Sequence, residues 1–334
     1  MSKQAQENHP DLDSIRQAQH RLSGRLRATA IVGSPSLSAV IGAPVHLKLE
    51  HRQITGSFKY RGASNAILSL SDAERTRGVV GVSTGNHGRG LAQAAKDAGV
   101  RCTICMSDLV PENKVRAIRD LGAEVRIVGK SQDDAQVEVD RLVSEDGMVM
   151  LPPFDHPHII AGQGTLGLEF LEALPDLESL LVPVSGGGLI AGIAVAVKAV
   201  KASLRIIGVS MARGAAMYES QHAGKPVMVS ELPTLADALG GGIGLDNRHT
   251  FALVRDLVDE LLLVDEAEIA KAIHHAYWVE QEIVEGAGAV GIAALLAGKV
   301  RAQGPMAVLL SGGNIDMKLH HRLISGETMV PAES

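Results

Sequence analysis

The sequence predicts an α/β fold of two parallel-sheet domains with a ligand cleft between them. Apolar, strand-like runs alternate with helical segments from Val79 onward, which is the pattern of βα units in a parallel sheet. Pro152, Pro153 and Pro157 separate this series from a second one that begins near Ser179. Aromatic residues make up only 2% of the chain and glycines number 36. The core must therefore be aliphatic, as it is in parallel sheets that are buried on both faces.

The first series of strands defines the smaller predicted domain. Its strands are VVGVS, RCTICM, EVRIV and MVML, and a helix follows each of the first three. We therefore assign residues 79–151 to a small domain and residues 1–78 together with 152–334 to a larger, discontinuous one. The larger domain carries a helix predicted for 12–26 and the strands SLLVPV, RIIGVS and MAVLLS. Loops at the carboxyl ends of the strands are expected to line the cleft.

The composition argues against nucleic-acid and membrane partners. The formal net charge is −6, and no stripe of lysine and arginine with interleaved aromatic residues is present. The longest uncharged stretch, 182–197, is short and is broken by Pro183 and three consecutive glycines, so it does not suit a membrane span. The polar N-terminal residues lack the plan of a signal peptide. We expect a cytoplasmic protein.

The two cysteines, Cys102 and Cys105, form a C-x-x-C within a β-branched apolar run. Residues three apart on a strand point to opposite faces. A redox dithiol needs both sulfurs at a helix start, and a zinc site needs further ligands. We therefore expect structural cysteines.

A glycine-rich turn, Ser185 to Leu189, closes one strand and opens a helix. Glycines let the backbone wrap a phosphate, and the helix start supplies N–H groups and partial positive charge. The same letters also fit a dinucleotide fingerprint, but that interpretation needs an acidic residue at the end of the next strand. That strand ends at Val209 and Ser210, so a monophosphate is favoured over NAD. A turn that only permits close packing is the alternative.

A second strand-to-helix junction, S-T-G-N-H-G from Ser83 to Gly88, collects hydroxyl, amide, imidazole and helix-start N–H groups in one turn. That composition suits a carboxylate, although an ordinarily capped helix is the simpler explanation.

In S-F-K-Y-R-G-A, Ser57 to Ala63, Lys59 stands beside an aromatic ring at a helix start. A desolvated lysine has a lowered pKa and can act as an amine nucleophile. S-G-G-N, Ser311 to Asn314, ends the last strand.

These four motifs, in this order, resemble those of fold-type II pyridoxal phosphate (PLP) enzymes, and specifically the threonine dehydratase and serine racemase family. The similarity runs from about residue 12 to residue 316. It implies a tryptophan synthase β-like fold, with PLP between the two domains and held by Lys59 as a Schiff base. The remaining cofactor contacts that it implies are Phe58, Asn86, Gly186, Gly187, Gly188, Leu189 and Ser311. The substrate carboxylate would meet Ser83, Thr84, Asn86 and His87.

Ser311 indicates the reaction type. In the family, the hydroxyl at this position meets the pyridine nitrogen of the cofactor. A hydroxyl cannot hold a proton on that nitrogen as a carboxylate can, so a neutral ring stabilises a long-lived carbanion poorly. Prompt loss of a β-hydroxyl is then favoured over transamination. The resemblance implies a dehydratase that converts a small β-hydroxy amino acid to a 2-oxo acid and ammonia, with Lys59 moving the Cα proton.

Three departures from the family pattern bear on substrate and cation. A serine that reprotonates Cα in racemase-like members is replaced by Thr84, which is stiffer and makes racemisation doubtful. The acidic residues of the family's cation site are replaced by Ser210 and Ala216, so no metal is expected. The polar residues before I-G-L are replaced by Gly240, Gly241 and Gly242, which should open the substrate pocket, with Gly241 contacting the substrate.

Within the family, S-T-G-N-H-G-R-G and P-T-L-A-D-A-L-G-G-G-I-G-L-D-N-R are most similar to hydroxyectoine-utilisation dehydratases. This similarity implies a β-hydroxy amino acid longer than threonine, such as a hydroxylated diaminobutyrate derivative. Alternatives within the family are an L-threonine or L-serine dehydratase of general catabolism and a serine racemase. Outside it stand an NAD-dependent oxidoreductase, disfavoured by the missing acid, and a non-catalytic binding protein, which would be expected to lose Lys59. A homodimer follows from the resemblance.

Overall fold

The computed structural model describes residues 9–83, 85–110 and 112–327. The strands run in chain order as β1 (Ile31–Gly33), β2 (Val45–Lys48), β3 (Val79–Val82), β4 (Cys102–Met106), β5 (Glu124–Ile127), β6 (Val149–Met150), β7 (Ser179–Pro183), β8 (Arg205–Met211), β9 (Glu260–Val264) and β10 (Met306–Leu309).

Helices connect nearly all of these strands. They are α1 (Leu12–Leu22), α2 (Pro35–Ile41), α3 (Lys59–Leu68), α4 (Asp72–Arg77), α5 (Asn86–Ala98), α6 (Glu112–Arg119), α7 (Gln132–Asp146), α8 (Pro157–Ala173), α9 (Gly188–Val200), α10 (Ala216–Ala223), α11 (Thr250–Leu257), α12 (Glu266–Trp278), α13 (Gly286–Leu296) and α14 (Met317–Ile324). Short 3-10 turns lie at Glu50–Arg52 and Asp237–Leu239.

The strands form two sheets, which confirms the predicted fold class. The larger has the order β1-β2-β10-β7-β8-β9 and the smaller β5-β4-β3-β6. Every pair is parallel except β1 with β2, which is antiparallel. This edge strand was not predicted, because three residues are too few for a readable pattern. The four strands of the smaller sheet lie within 79–151; the division into domains stays a prediction.

Helix α3 packs between α5, which covers one face of the smaller sheet, and α8. Its buried face, including Ala63 and Ile67, shares one apolar cluster with Val79 and Leu91. The chain segment that begins with Lys59 is thereby held between the two sheets. Its position depends on packing on both sides, which is why the site described below lies at this boundary.

The proline-rich junction was predicted correctly as a break, but it also begins a helix. Pro157 is the first residue of α8, and His156 precedes it as the N-cap. Proline is well suited to this position, because its missing N–H would have no partner inside the helix. The 17-residue helix that follows was not predicted.

The cysteines are free and buried on strand β4. Cys102 packs in the cluster with Val79, and Cys105 packs in a different cluster with Val139 and Leu142. The side chains therefore occupy opposite faces of the sheet. Burial raises the pKa of Cys102 to about 12 and that of Cys105 to about 11, so both remain inert thiols, as expected.

Among the described residues, no helix combines the length and apolar character needed to cross a membrane.

Helices α8 and α9 cross at a contact that only glycine permits. A Cβ built on Gly192 would lie 2.2 Å from the carbonyl oxygen of Ile160 and 2.7 Å from the backbone nitrogen of Gly164. Backbone atoms cannot rotate away as a side chain can. The glycines therefore set the distance between α9, which begins at the glycine-rich turn, and α8.

We predict that Gly192→Ala destabilises the protein although alanine is the better helix former. The helix-propensity gain is about 1 kcal/mol, whereas overpacking a core costs about 1–3 kcal/mol and here meets backbone rather than side chain. The melting temperature should fall. Gly33→Ala, at a position with no atom within 4 Å, is the control and should leave it unchanged. A melting temperature that is unchanged or higher for Gly192→Ala would contradict the packing argument.

Candidate active site

A cavity of about 460 Å³ lies where the two sheets meet. This volume falls within the roughly 300–1,000 Å³ typical of small-molecule sites. Three serines in its lining come within two residues of a strand end: Ser83 after β3, Ser185 after β7 and Ser311 after β10. The carboxyl ends of parallel strands in both sheets therefore open into one space.

Lys59 is the first residue of α3, and its amine reaches into this cavity. Nζ donates a hydrogen bond to the carbonyl oxygen of Pro153 at 2.7 Å, and it lies 5.3 Å from the centre of the Phe58 ring. Burial lowers the pKa of Lys59 to about 8, and the carboxylate of Glu285 opposes that shift. Near pH 8 about half of these amines are neutral and therefore nucleophilic.

The glycine-rich turn forms the start of α9 and lines the cavity with Gly186, Gly187, Gly188 and Leu189. A Cβ on Gly186 would lie 2.3 Å from the Phe154 ring, and one on Gly188 would lie 2.8 Å from the carbonyl oxygen of Phe154. Gly187 has φ +89°, a conformation that L side chains rarely adopt. The turn therefore exposes backbone N–H groups at the positive end of a helix, as an anion site requires.

The junction after β3 positions Ser83, Asn86 and His87 at the start of α5. The hydroxyl oxygen of Ser83 accepts from the backbone N–H of Gly88 at 2.9 Å, and its own proton remains available to a ligand. Nε2 of His87 donates to the carbonyl oxygen of Leu151 at 2.8 Å. Burial, together with the charge of Lys59, lowers the pKa of His87 to about 3, so this imidazole is neutral.

Thr84, expected to contact the substrate and Cα, lies outside the described residues. All the other expected site residues line the one cavity; they are Phe58, Lys59, Ser83, Asn86, His87, Gly186, Gly187, Gly188, Leu189, Gly241 and Ser311. Their individual roles stay predictions.

The last strand and the lysine loop are tied together. The backbone N–H of Phe58 donates to the carbonyl oxygen of Ser311 at 3.0 Å, and Ser57 forms an isolated antiparallel bridge with Gly312. Ser311 is 3% exposed. These bonds hold the Ser311 hydroxyl and the Lys59 amine in a fixed relation, although 252 residues separate them in the chain.

The glycine run at 240–242 leaves open space in the cavity wall. No atom lies within 4 Å of a Cβ built on Gly241, and for Gly242 the nearest is a backbone nitrogen at 4.0 Å. Gly241 has φ +96°. A side chain would fit sterically at both positions, but only Gly242 would accept one without backbone strain.

The structure adds several residues that sequence reasoning missed: Arg89, Lys114, Phe154, Asp237 and Glu285 all line the cavity. Glu285 is the most informative, because it is only 4% exposed. Its Oε1 accepts from Nδ2 of Asn86 at 2.6 Å. Burial first, and the charge of Asp237 second, raise the pKa of Glu285 to about 7. A buried carboxyl group carries no sequence signature, because most glutamates are solvated.

The residues present fit PLP. A helix start with glycines pressed against Phe154 suits the phosphate, and a desolvated amine suits the aldehyde carbon. Ser311 and Asn86 supply neutral polar groups for the ring. No group of three or more His, Cys, Asp or Glu residues is arranged to hold a metal ion in the described part of the chain; the expected independence from metal stays a prediction.

Comparison with known proteins agrees with this geometry. A model of the family described as pyridoxal-phosphate dependent enzymes matches residues 22–312. A protein of Sinorhizobium fredii, provisionally named a threonine dehydratase, is 61% identical over 94% of this chain and 95% of its own. The L-threonine ammonia-lyase of Thermotoga maritima is 43% identical over 94% of this chain and 78% of its own. The structure of maize serine racemase superposes with a TM-score of 0.89 at 34% identity, covering 95% and 98% of the two chains.

Fold, cavity and relatives together define a PLP-dependent lyase that acts on a small amino acid. The chain belongs to the pyridoxal-phosphate dependent enzyme family, among the fold-type II enzymes of the threonine dehydratase kind.

The lowered pKa of Lys59 predicts unusual reactivity in the cofactor-free protein. Reductive methylation requires the neutral amine, so the rate at Lys59 should level off above about pH 8. An ordinary lysine titrates near 10.4. Peptide mass spectrometry across pH 6–10, with exposed Lys225 as the internal reference, measures both rates. If Lys59 followed the same pH profile as Lys225, desolvation of the site would be refuted.

Proposed function

We propose that this lyase removes water from a β-hydroxy amino acid longer than threonine, giving a 2-oxo acid and ammonia, and that it serves hydroxyectoine catabolism. The observation that carries the dehydratase assignment is the Lys59 amine, held in a cavity with a glycine-lined helix start and with Ser311. Relatives named for threonine dehydration and threonine ammonia-lyase activity support it. Substrate length rests on the open glycine run.

In this proposal Lys59 carries the cofactor and moves the proton. Its pKa of about 8 lies close to neutral pH, so the amine can take the proton from the substrate Cα and give it up to the departing β-hydroxyl, which leaves as water. When bound, the pyridoxal ring supplies an electron sink for the pair left on Cα. In the cofactor-free protein the carbonyl of Pro153, 2.7 Å from Nζ, holds the amine inside the cavity.

The substrate carboxylate is assigned to the start of α5. Ser83 has a hydroxyl proton free to donate, and the positive end of the helix favours an anion. The neutral His87 ring has one N–H, on Nε2, and Leu151 already accepts it. The other ring nitrogen can only accept, so we assign carboxylate contact at His87 to its backbone N–H. Thr84 completes this set of expected contacts.

Ser311 is assigned to the pyridine nitrogen of the cofactor. Its neutral hydroxyl can share a hydrogen bond but cannot stabilise a positive charge there. The electron pair at Cα therefore needs a leaving group next to it, and the β-hydroxyl provides one. This favours elimination over racemisation or transamination.

The substrate side chain is assigned to the space beside Gly241 and Gly242. Threonine ends in a methyl group and would leave that space unfilled. Poorly filled apolar contact costs about 1–3 kcal/mol per methylene-sized group. A longer chain, such as a hydroxylated diaminobutyrate derivative, would make these contacts. The homodimer stays a prediction from the family resemblance, and the cytoplasmic location stays a prediction from the composition and the N-terminal residues.

The lysine assignment is tested by Lys59→Ala. The variant should stay folded, lose the visible absorbance of the bound cofactor, and release no 2-oxo acid from any β-hydroxy amino acid. Lys225→Ala removes an exposed lysine and should keep both signals. Retention of absorbance and activity in Lys59→Ala would rule out the assignment.

The pocket assignment is tested by Gly242→Ser, at a position where a side chain meets open space without backbone strain. In the native enzyme kcat/KM should be higher for a longer β-hydroxy amino acid than for threonine. The added hydroxymethyl group should reverse that ranking by roughly 10–200-fold, the value of one methylene-sized contact. Gly33→Ser, outside the cavity, should leave the ranking unchanged. A native preference for threonine that Gly242→Ser does not alter would refute the assignment.

A further inference from the structure

Glu285 stands at the N-cap of α13, yet its side chain does not cap that helix. Its backbone carbonyl accepts from Gly288 and Ala289, while the carboxylate turns toward the cavity. A residue at this position ordinarily uses a side-chain oxygen for the first free N–H groups of its helix. The carboxylate of Glu285 therefore makes its hydrogen bonds in the cavity and not with its own helix.

Both of its oxygens accept hydrogen bonds from the site. Oε1 accepts from Nδ2 of Asn86 at 2.6 Å, and Oε2 accepts from the backbone N–H of Asn314 at 3.0 Å. A Cβ on Gly312 would lie 2.3 Å from Oε1. This glycine of the S-G-G-N motif is thus the one that makes room for the carboxylate.

The hydrogen bonds from Asn314 through Asn86 to Glu285 form a chain in which each donor and acceptor is fixed. Nδ2 of Asn314 donates to the backbone carbonyl of Thr55 at 2.9 Å and to Oδ1 of Asn86 at 2.6 Å. A backbone carbonyl can only accept, so the amide of Asn314 cannot turn over. The Asn314 side-chain nitrogen must therefore donate to Asn86, and Asn86 must accept through its side-chain oxygen. The nitrogen of Asn86 then faces Glu285, which suits an ionised carboxylate that only accepts.

We propose that Glu285 is a positioning residue that locks the Asn86 amide so that an N–H, and not the carbonyl oxygen, is offered to the cofactor. One hydrogen of Nδ2 is used by Glu285, and the second is left for an acceptor in the cavity. This inference rests on the proposed function, in which Asn86 meets the phenolic oxygen of PLP. A protonated Glu285 keeps one carbonyl oxygen that accepts, but its O–H would face one of two donors, so it cannot hold both groups as the ionised carboxylate does.

The charged groups around Glu285 come from several elements. The charge of Glu285 raises the pKa of Lys59 on α3 and of Arg89 on α5, against the effect of burial. In turn, Asp237 raises the pKa of Glu285 and Lys114 on α6 lowers it. His51, against Gly313, has a pKa lowered chiefly by burial. With the pKa of Glu285 raised to about 7, the charged hydrogen bond by which Glu285 locks the Asn86 nitrogen forms above neutral pH and weakens below it, while Asn314 continues to hold the Asn86 oxygen.

The test is the affinity of the cofactor-free protein for PLP, measured from pH 5.5 to 8.5 in Glu285→Gln and in a matched control. Glu266→Gln is that control: Glu266 is 5% exposed and also accepts from one side chain and one backbone N–H, those of Thr234 and Leu235, outside the cavity. The ratio of the two dissociation constants cancels the titration of PLP. Because Glu285 raises the pKa of Lys59, the methylation profile of Lys59 is measured in both variants and its contribution to the ratio is subtracted.

Above pH 7 the ratio should be about tenfold or more, the size of a lost charged hydrogen bond. It should fall toward one below pH 6, because native Glu285 is then protonated and the control has lost the lock as well. A ratio near one at pH 8, or a large ratio that does not vary with pH, overturns the proposal. The second outcome would assign Glu285 a purely structural role.

If Glu285→Gln does not fold, Glu285→Asp replaces it. That variant keeps the charge and withdraws it by one methylene, so it should also lose affinity by about tenfold at pH 8. Native affinity in Glu285→Asp would overturn the proposal. Failure of the proposed function gives a different result, because the native protein would then bind PLP but release no 2-oxo acid from β-hydroxy amino acids, while the affinity ratio would still report on Glu285.

Discussion

The buried ion pair between Arg61 and Glu50 is the interaction on which the position of Lys59 depends. Both side chains are fully buried, and Nε of Arg61 lies 2.8 Å from Oε2 of Glu50. Arg61 also pairs with Glu169, and Glu169 pairs with Lys48 at 2.6 Å, so two cations and two anions balance. Removing one partner of such a group costs about 3–5 kcal/mol, because the other charge is left buried. Arg61 is two residues after Lys59, and the network therefore fixes the start of α3 relative to the larger sheet.

The rest of the site follows from that anchor by short-range contacts. The residues before α3 pair with the end of the last strand through Ser57 and Gly312, which brings Ser311 to the lysine. On the other side, a Cβ on Gly90 would lie 3.1 Å from the backbone of Lys59, so α5 approaches α3 closely and carries Asn86 with it. Packing requires glycine at Gly90 and Gly312. Each of these residues lacks a side chain where two backbone segments that hold the site come close together.

The fold and the site could be predicted best where the hydrophobic periodicity of the sequence is strong and where a short local motif forms the binding surface. Parallel strands, the glycine-rich turn at Gly186 and the lysine in its motif all carry local signals, and the structure brings these residues into one cavity. The sequence was least informative where a role arises only from long-range contact. Glu285 reads as one polar residue among several, and Phe154 as part of a proline-rich loop. The helix that begins at Pro157 was missed because the proline that ends one segment also starts the next.

Burial shifts the pKa values of Lys59 and Glu285, two ionisable groups of the cavity, in opposite directions, and this opposition keeps the site usable near neutral pH. It lowers the pKa of Lys59 to about 8 and raises that of Glu285 to about 7, because each charged form loses solvation. Each charge stabilises the other, so the ionised pair is the state that a buried cavity tolerates best. When Lys59 becomes neutral, the groups that still lower the pKa of Glu285 are Asn86, the N–H of Asn314 and Lys114. The hydrogen bonds that orient Asn86 are thus the same ones that keep a carboxylate ionised while the lysine changes its charge.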